Sequence, residues 1–269
     1  RNQGIEVAIN AIPVQTKDFE WKTVVTVAHN ASKLLSLSND MYESNSYMDT
    51  GGLGEPISVS THRMEEGRPL GEFYGLKSVG VSENGLFLIE KPDGEVVEFS
   101  TAYLTNDEYR QYLGNGLPKV YLGWGNTFTY KNWDFGFNAH GSVGGYALNR
   151  IKMNTATSYS DDYTKGYLNN LSPYCMETGW KATISEQQKY SDMFLENTTF
   201  FRMDDINVGY TFDKIKNWGG KIRVAASVQN VFTITKYSGL DPELTEADGV
   251  DNNLIPRPRL YTLRLNINF

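Results

Sequence analysis

The chain has 269 residues and a formal net charge of −7, with a pI of about 5.1, which excludes the basic footprint of a nucleic-acid-binding protein. Charged residues make up 21 % and mean hydropathy is −0.44, and no run of about 18 apolar residues occurs; a spanning helix is excluded, but spanning strands of about 9–11 residues are not. Cys175 is the single cysteine, so there is no disulfide framework and no cysteine pair for a metal.

The 17 Tyr, 13 Phe and 5 Trp, with 25 Gly against 9 Pro, suit a turn-rich all-β chain. Arg1-Asn2-Gln3-Gly4 leads straight into an alternating strand over residues 5–13, so the chain reads as a piece that begins within a longer protein. A turn at 14–19 precedes residues 20–36, where Trp21, Thr23, Val25 and Val27 share one face. A Ser/Asn/Gly-rich stretch over 39–54 is followed by a weaker strand pair, 56–63 and 70–81, around Glu65-Glu66-Gly67-Arg68-Pro69. Residues 82–118 hold the turn dipeptides Asn84-Gly85, Asp93-Gly94 and Asn115-Gly116; between them the spacing predicts one short helix from Thr105/Asn106 to Leu113, ended by Gly114.

Residues 119–130 and 133–143 form the clearest hairpin: Val120, Leu122, Trp124, Phe128 and Tyr130 continue into Trp133, Phe135 and Phe137 on one face, and Asp134, Gly136, Asn138 and His140 take the other. After a broad polar segment, 144–197, three long strands close the chain. Ile206, Val208, Tyr210 and Phe212 alternate in the first, and Ile222, Val224, Ala226 and Val228 in the second. The last carries Tyr261, Leu263, Leu265, Ile267 and Phe269 in strict alternation with Thr262, Arg264, Asn266 and Asn268. Apolar side chains towards lipid, polar ones towards a lumen and an aromatic at the end are the signature of an outer-membrane strand.

The links at 14–19, 131–132 and 213–219 are short, and those at 39–55, 144–198 and 237–258 are long. Short periplasmic turns alternate with long external loops in such barrels. Nine strands are expected, an odd number too small to enclose a useful lumen, so the whole chain, 1–269, reads as the C-terminal part of one transmembrane antiparallel β-barrel. The rival reading is an exported all-β glycan-binding module without transport activity. It is disfavoured because strands of 12–17 residues are long for a sandwich, where about 5–6 is usual.

Several segments, in order, resemble a known family. They are Arg1-Asn2-Gln3-Gly4-Ile5-Glu6, Phe19-Glu20-Trp21, Glu66-Gly67-Arg68-Pro69-Leu70-Gly71-Glu72-Phe73-Tyr74-Gly75, and Gly116-Leu117-Pro118-Lys119 with Tyr130-Lys131-Asn132-Trp133-Asp134. Phe201-Arg202-Met203-Asp204-Asp205-Ile206-Asn207-Val208-Gly209-Tyr210, Val228-Gln229-Asn230-Val231-Phe232 and Thr235-Lys236-Tyr237-Ser238-Gly239-Leu240-Asp241-Pro242-Glu243 complete the set. The chain resembles the C-terminal half of SusC/RagA-type TonB-dependent outer-membrane transporters of Bacteroidetes. The resemblance implies a 22-stranded barrel with an N-terminal plug, energised through TonB. It also implies a SusD-like surface lipoprotein as lid over a glycan or peptide nutrient. Nine strands would be the fourteenth to the twenty-second. The family often carries an Asp/Asn/Gly-rich loop after Phe73-Tyr74-Gly75; here residues 85–99 are largely apolar and acidic instead.

No catalytic motif is present, and no enzyme, cofactor or metal site is expected. Asp204-Asp205 could form a carboxylate pair for acid–base work, but neighbours on a strand point to opposite faces, so an anchoring role is the reading. His140 is expected to be a solvated lumen histidine. Asp241, Glu243, Glu246, Asp248 and Asp251 crowd the last long loop, where an acidic solvated surface is a plainer reading than calcium. Substrate contact is assigned to Trp180, Tyr237, Asp241 and Glu243 in external loops. Trp21, Trp124, Trp133, Tyr210 and Tyr261 are expected at the membrane girdle, and Tyr261, Leu263, Leu265, Ile267 and Phe269 as the barrel-assembly signal.

Overall fold

The structure is a computed structural model, and it describes residues 1–39, 41, 43, 45–53, 59–155, 173–178, 190–213, 220–243, 249–251 and 255–268. In chain order, β1 (Asn2–Gln15) and β2 (Phe19–Ser32) form a hairpin. The chain then leaves the hairpin for β3 (Tyr47–Thr50), β4 (His62–Glu65), β5 (Glu72–Val81), β6 (Phe87–Glu90), β7 (Val96–Glu98) and β8 (Arg110–Asn115). It returns as a second long hairpin, β9 (Val120–Tyr130) and β10 (Trp133–Val143). Short elements follow: β11 (Tyr146–Asn149), α1 (Arg150–Thr155), α2 (Pro173–Thr178) and β12 (Leu195–Asn197). Then come β13 (Phe200–Phe212), β14 (Lys221–Thr235), the short β15 (Val250–Asp251) and β16 (Leu260–Asn268).

Among the described residues seven long strands make one antiparallel sheet, in the order β1-β2-β9-β10-β13-β14-β16. Cross-strand pairing lines up apolar residues in rows along one face. One row runs Phe19, Tyr130, Trp133, Tyr210, Val224 and Leu265; the next runs Val14, Trp21, Phe128, Phe135, Val208, Ala226 and Leu263. Among the described residues no layer covers this face: Leu263 is 78 % exposed and Leu265 60 %. Asp134, Asn138, His140, Arg202, Asn207, Arg223 and Arg264 share the opposite, polar face.

Glycine has a specific task on that polar face. Arg223 on β14 reaches across β13 to Asp134 on β10, donating from Nε (3.0 Å) and Nη2 (2.5 Å) to its two carboxylate oxygens. A Cβ at Gly209, on the strand between them, would sit 2.5 Å from Nη2 and 2.7 Å from both oxygens. Only a residue without a side chain lets the bidentate pair pass.

Two sequence expectations change. Residues 56–63 and 70–81 are not wall strands: their described parts, β4 and β5, belong to a second layer built by β3–β8. The reason lies in the burial pattern. Phe73 and Leu76 are fully buried and Tyr74 nearly so, with no alternation, which marks a strand covered on both sides rather than one facing lipid. The wall therefore holds seven of these strands, not nine, and the remaining short and long links still alternate. The helix expected from Thr105 to Leu113 is instead a 3-10 turn, Thr101–Thr105, followed by β8. Asn106 does cap, but its Oδ1 accepts from Glu108 N (3.0 Å) in a turn that the chain does not continue as helix. Pairing of Tyr112 with Tyr74, and stacking of Tyr103 on Tyr109 at 3.7 Å, favour the extended path.

The second layer has its own core, centred on Phe73, Leu76, Phe87, Ile89, Tyr190 and Phe194. It is fastened to the end of the sheet where the long connections leave. Leu34 N donates to Arg68 O (2.9 Å), Gly67 N to Leu34 O (2.8 Å) and Leu70 N to Ser32 Oγ (3.1 Å). Arg68 donates to both oxygens of Glu72, and its guanidinium lies 3.4 Å from the centre of the Tyr112 ring.

A candidate binding site between the polar face and the loop layer

The closing strands bring a cavity of about 250 Å³ to the junction of the two layers. Tyr121, His140, Ser142 and Phe200 contribute from the sheet, Leu117 and Pro118 from the segment entering β9, Tyr146 from β11, and Pro242 and Glu243 from the last loop. Strand alternation explains the first group: Tyr121 on β9 pairs with Ser142 on β10, and Ser142 with Phe200 on β13, so the three stand side by side. Ser142 is 3 % exposed and its Oγ has no hydrogen-bond partner.

An ion-pair cluster forms one wall. His140 Nδ1 is 2.6 Å from Asp204 Oδ2, and Nε2 is 3.0 Å from Glu243 Oε1. Arg202, 2 % exposed, donates from Nη2 to Asp241 Oδ1 at 2.5 Å, and Arg257 lies 3.1 Å from Glu243 Oε2 and 3.5 Å from Asp241 Oδ2. Two arginines thus balance two loop carboxylates, and Arg202 with His140 pins residues 241–243 to the sheet.

The carboxylate pair shows how alternation can mislead. Pairing of β13 shifts between Asn138/Ala139 on one side and Met203/Asp205, so Asp204 is the extra residue of a bulge. Both carboxylates then reach the polar side, Asp204 to His140 and Asp205 to Asn138 Nδ2 (2.8 Å). They do not stand on opposite faces as a regular strand requires. His140 is held between two carboxylates rather than free in solvent.

Of the residues expected to touch substrate, Glu243 lines the cavity. The Asp241 carboxylate is taken up by the two arginines. Tyr237 is 5 % exposed and donates its hydroxyl to Asp251 Oδ2 (2.5 Å); burial, then that carboxylate, pushes the phenol well above its ordinary range. Trp180, Tyr163, Tyr167, Glu246, Asp248 and the terminal Phe269 lie outside the described residues. Of the girdle set, Trp124, Trp133 and Tyr261 are exposed on the apolar face. Tyr210 packs edge-on to Trp133 (4.8 Å between centroids), and Trp21 donates from Nε1 to Asn126 Oδ1 (2.8 Å). Tyr121, Ser142, Tyr146 and Phe200 were not singled out from the sequence. Tyr121 and Ser142 fall on the polar register opposite the hairpin's apolar set, the one signal that points to them.

No family model matches the chain. The TonB-dependent receptor SusC of Bacteroides thetaiotaomicron is 31 % identical over 283 residues, covering all of this chain and 26 % of that protein. The TonB-dependent receptor P3 of Formosa agariphila is 26 % identical over 298 residues, again covering the whole chain. Over its whole length the chain is similar to TonB-dependent receptors of the SusC type. Solved structures of the RagAB peptide importer agree in fold: in its open-open state the TM-score is 0.75 at 19 % identity, and in its closed-closed state 0.73 at 18 %. In both cases all of this chain is covered. The chain spans about a quarter of the length of the curated relatives it matches. These relatives of the SusC/RagA type are receptors and importers, not enzymes.

Proposed function

We propose that the chain is the C-terminal barrel part, over all 269 residues, of an outer-membrane importer that brings a glycan or oligopeptide into the cell with energy delivered through TonB. The observation that carries this reading is the seven-stranded sheet itself. One face is apolar and uncovered from β1 to β16, the other is lined with ion pairs, and every long connection leaves at one end. A sandwich covers its apolar face with a second sheet; here the second layer sits at the strand ends and has a separate core.

In this reading the apolar face meets lipid, with Trp133, Tyr210 and Trp21 in an aromatic band near the turns and Trp124 and Tyr261 further along the strands. The terminal strand, Tyr261 to Phe269, presents the assembly signal. Seven strands leave fifteen to be supplied by the rest of a 22-stranded barrel, and an odd remainder keeps the two parts in antiparallel register. The loop layer faces outside and supports a SusD-like lipoprotein lid. The full-length protein extracted in detergent is expected to co-purify with such a lipoprotein, and its deletion to abolish growth on the cognate nutrient. Purification without detergent as a soluble monomer, with growth unaffected by the deletion, would overturn the reading.

A further inference from the structure

We propose that His140 is a proton-dependent clasp, which fastens the last long connection to the seven-stranded sheet and releases it when the imidazole loses its charge. The clasp is independent of the import reading above. Its basis is one ring with a carboxylate at each nitrogen: Nδ1 is 2.6 Å from Asp204 Oδ2, and Nε2 is 3.0 Å from Glu243 Oε1. An ionised carboxylate only accepts, so both contacts are hydrogen bonds only when both nitrogens carry a proton, which makes the ring an imidazolium. Neutral imidazole keeps one N–H, and its other nitrogen then turns a lone pair towards a carboxylate oxygen.

The surroundings agree with that charge. From β13, Arg202 stands opposite His140 and Asp204 reaches back from the bulge; from the last connection come Asp241, Glu243 and Arg257. β9 adds no charge: Gly123 stands opposite His140, and the Tyr121 phenol lies two residues along the same face. Tyr121 and Tyr146 of β11 line the same cavity as the ring. Asp205 is taken up by Asn138 and Asn207. Among the described residues, Asp204, Asp241 and Glu243 thus face Arg202 and Arg257, and a protonated His140 closes the balance of charge. Its side chain is 32 % exposed, so it exchanges protons with solvent.

The connection has fixed points and one that depends on the proton. Arg202, 2 % exposed, holds Asp241 whatever the state of His140, and Asn230 Nδ2 donates to Arg257 O (2.9 Å) at the far end. Tyr237 with Asp251, and the pairing of β15 with β11, tie the connection to the loop layer. Glu243 is held to the sheet by its hydrogen bond to His140, while Arg202 Nε stands off at 3.6 Å. Loss of the proton replaces that bond with repulsion. Glu243 then swings out and opens the junction between the two layers, and Asp241 stays in place. Histidine is the side-chain type in this cluster that changes charge between about pH 5 and 8, which sets the working range of the clasp.

The test follows full-length protein in detergent by amide hydrogen exchange, corrected for intrinsic rate, at about pH 5.5 and about pH 8. In 239–243, where Glu243 N donates to Asp241 Oδ1 (3.0 Å), exchange is expected to be about tenfold faster at the higher pH, the loss of one hydrogen bond to a charged group. β14 should exchange alike at both. In Glu243→Gln the side-chain amide donates to an unprotonated ring nitrogen, so 239–243 should stay protected at both pH values. In His140→Gln, which carries no charge to lose, exchange there should be fast at both. A dependence carried by His29 on β2 or His62 on β4 would survive both substitutions. The proposal is overturned if the parent exchanges alike at the two pH values, or if its pH dependence persists in Glu243→Gln.

Discussion

Asn126 is a polar side chain on the apolar face, in the cross-strand row of Thr23, Phe137, Ile206, Val228 and Tyr261. It is 4 % exposed: its Oδ1 accepts from Trp21 Nε1, while its Nδ2 has no partner. Trp21 stacks on Phe128 at 5.8 Å and helps to roof the amide. Trp21→Phe keeps an aromatic but strands the amide oxygen, and is expected to cost about 1–3 kcal/mol, whereas the double variant Trp21→Phe/Asn126→Leu, which removes both partners, should be close to neutral. Unfolding of the two variants in detergent, with urea as denaturant, checks the contrast. Arg202 and Asp241 make a second residue-scale case. Asp241→Ala leaves a nine-tenths-buried guanidinium without its 2.5 Å partner and should cost about 3–5 kcal/mol. Protease cleavage within 236–259 is expected to rise in step. Parent-like stability in Asp241→Asn would show that the charge is irrelevant.

At the scale of the element, β16 carries the strongest periodic signal in the chain, and the structure gives it a physical content. Leu263, Leu265 and Ile267 stand exposed in register with Ala226, Val224 and Ile222 of β14, while Arg264 and Asn266 stand on the polar side with Ala225 and Arg223. Leu265→Arg puts a charge on the uncovered apolar face and is expected to cost about 2–4 kcal/mol near the midplane of a bilayer. Asn266→Arg, one residue away, should be close to silent. Refolding of both variants of the full-length protein into lipid vesicles measures the difference, and equal penalties would show that the two faces of β16 meet the same surroundings. The same periodicity fails in β13 at Asp204, because a bulge inserts one residue and resets which face follows. Bulges arise from how two neighbouring strands pair, so nothing in the β13 sequence alone marks the position.

At the scale of the whole molecule, two layers respond differently to acid. In the loop layer Asp49 is partly desolvated, which raises its carboxyl pKa. Hydrogen bonds from Arg63 and Arg110 outweigh this and hold it below the ordinary 3.8. Glu196 is likewise held below 4.5: burial raises it, and Lys152 and Ser238 more than compensate. A depressed folded pKa means stability that is full above the unfolded value and lost as pH falls through the folded one. Asp192 works in the opposite sense, since burial raises its carboxyl and protonation relieves it. Within β3–β8 Asp93 is also held low, by the Glu95 backbone N–H that donates to it, so the loop layer is expected to loosen below about pH 4. Amide hydrogen exchange, corrected for intrinsic rate, should show protection falling in 47–115 while β9, β10 and β13 keep theirs; uniform loss would refute the separation.

Alternation alone placed β1, β2, β9, β10, β13, β14 and β16 and told which face of each is apolar, because every residue of a strand open on both sides feels only its own two surroundings. The family likeness carried by Phe201 to Tyr210 and Thr235 to Glu243 was legible for the same reason, being local. Tertiary structure alone decided that β4 and β5 leave the wall, that Thr105 to Leu113 is not a helix, and that Tyr121, Ser142, Tyr146 and Phe200 meet around one cavity. Burial on both sides of a strand, the packing of Tyr103 on Tyr109, and the shift that turns Asp204 towards His140 all depend on contacts between segments far apart in the chain. No window of sequence contains both partners of such a contact.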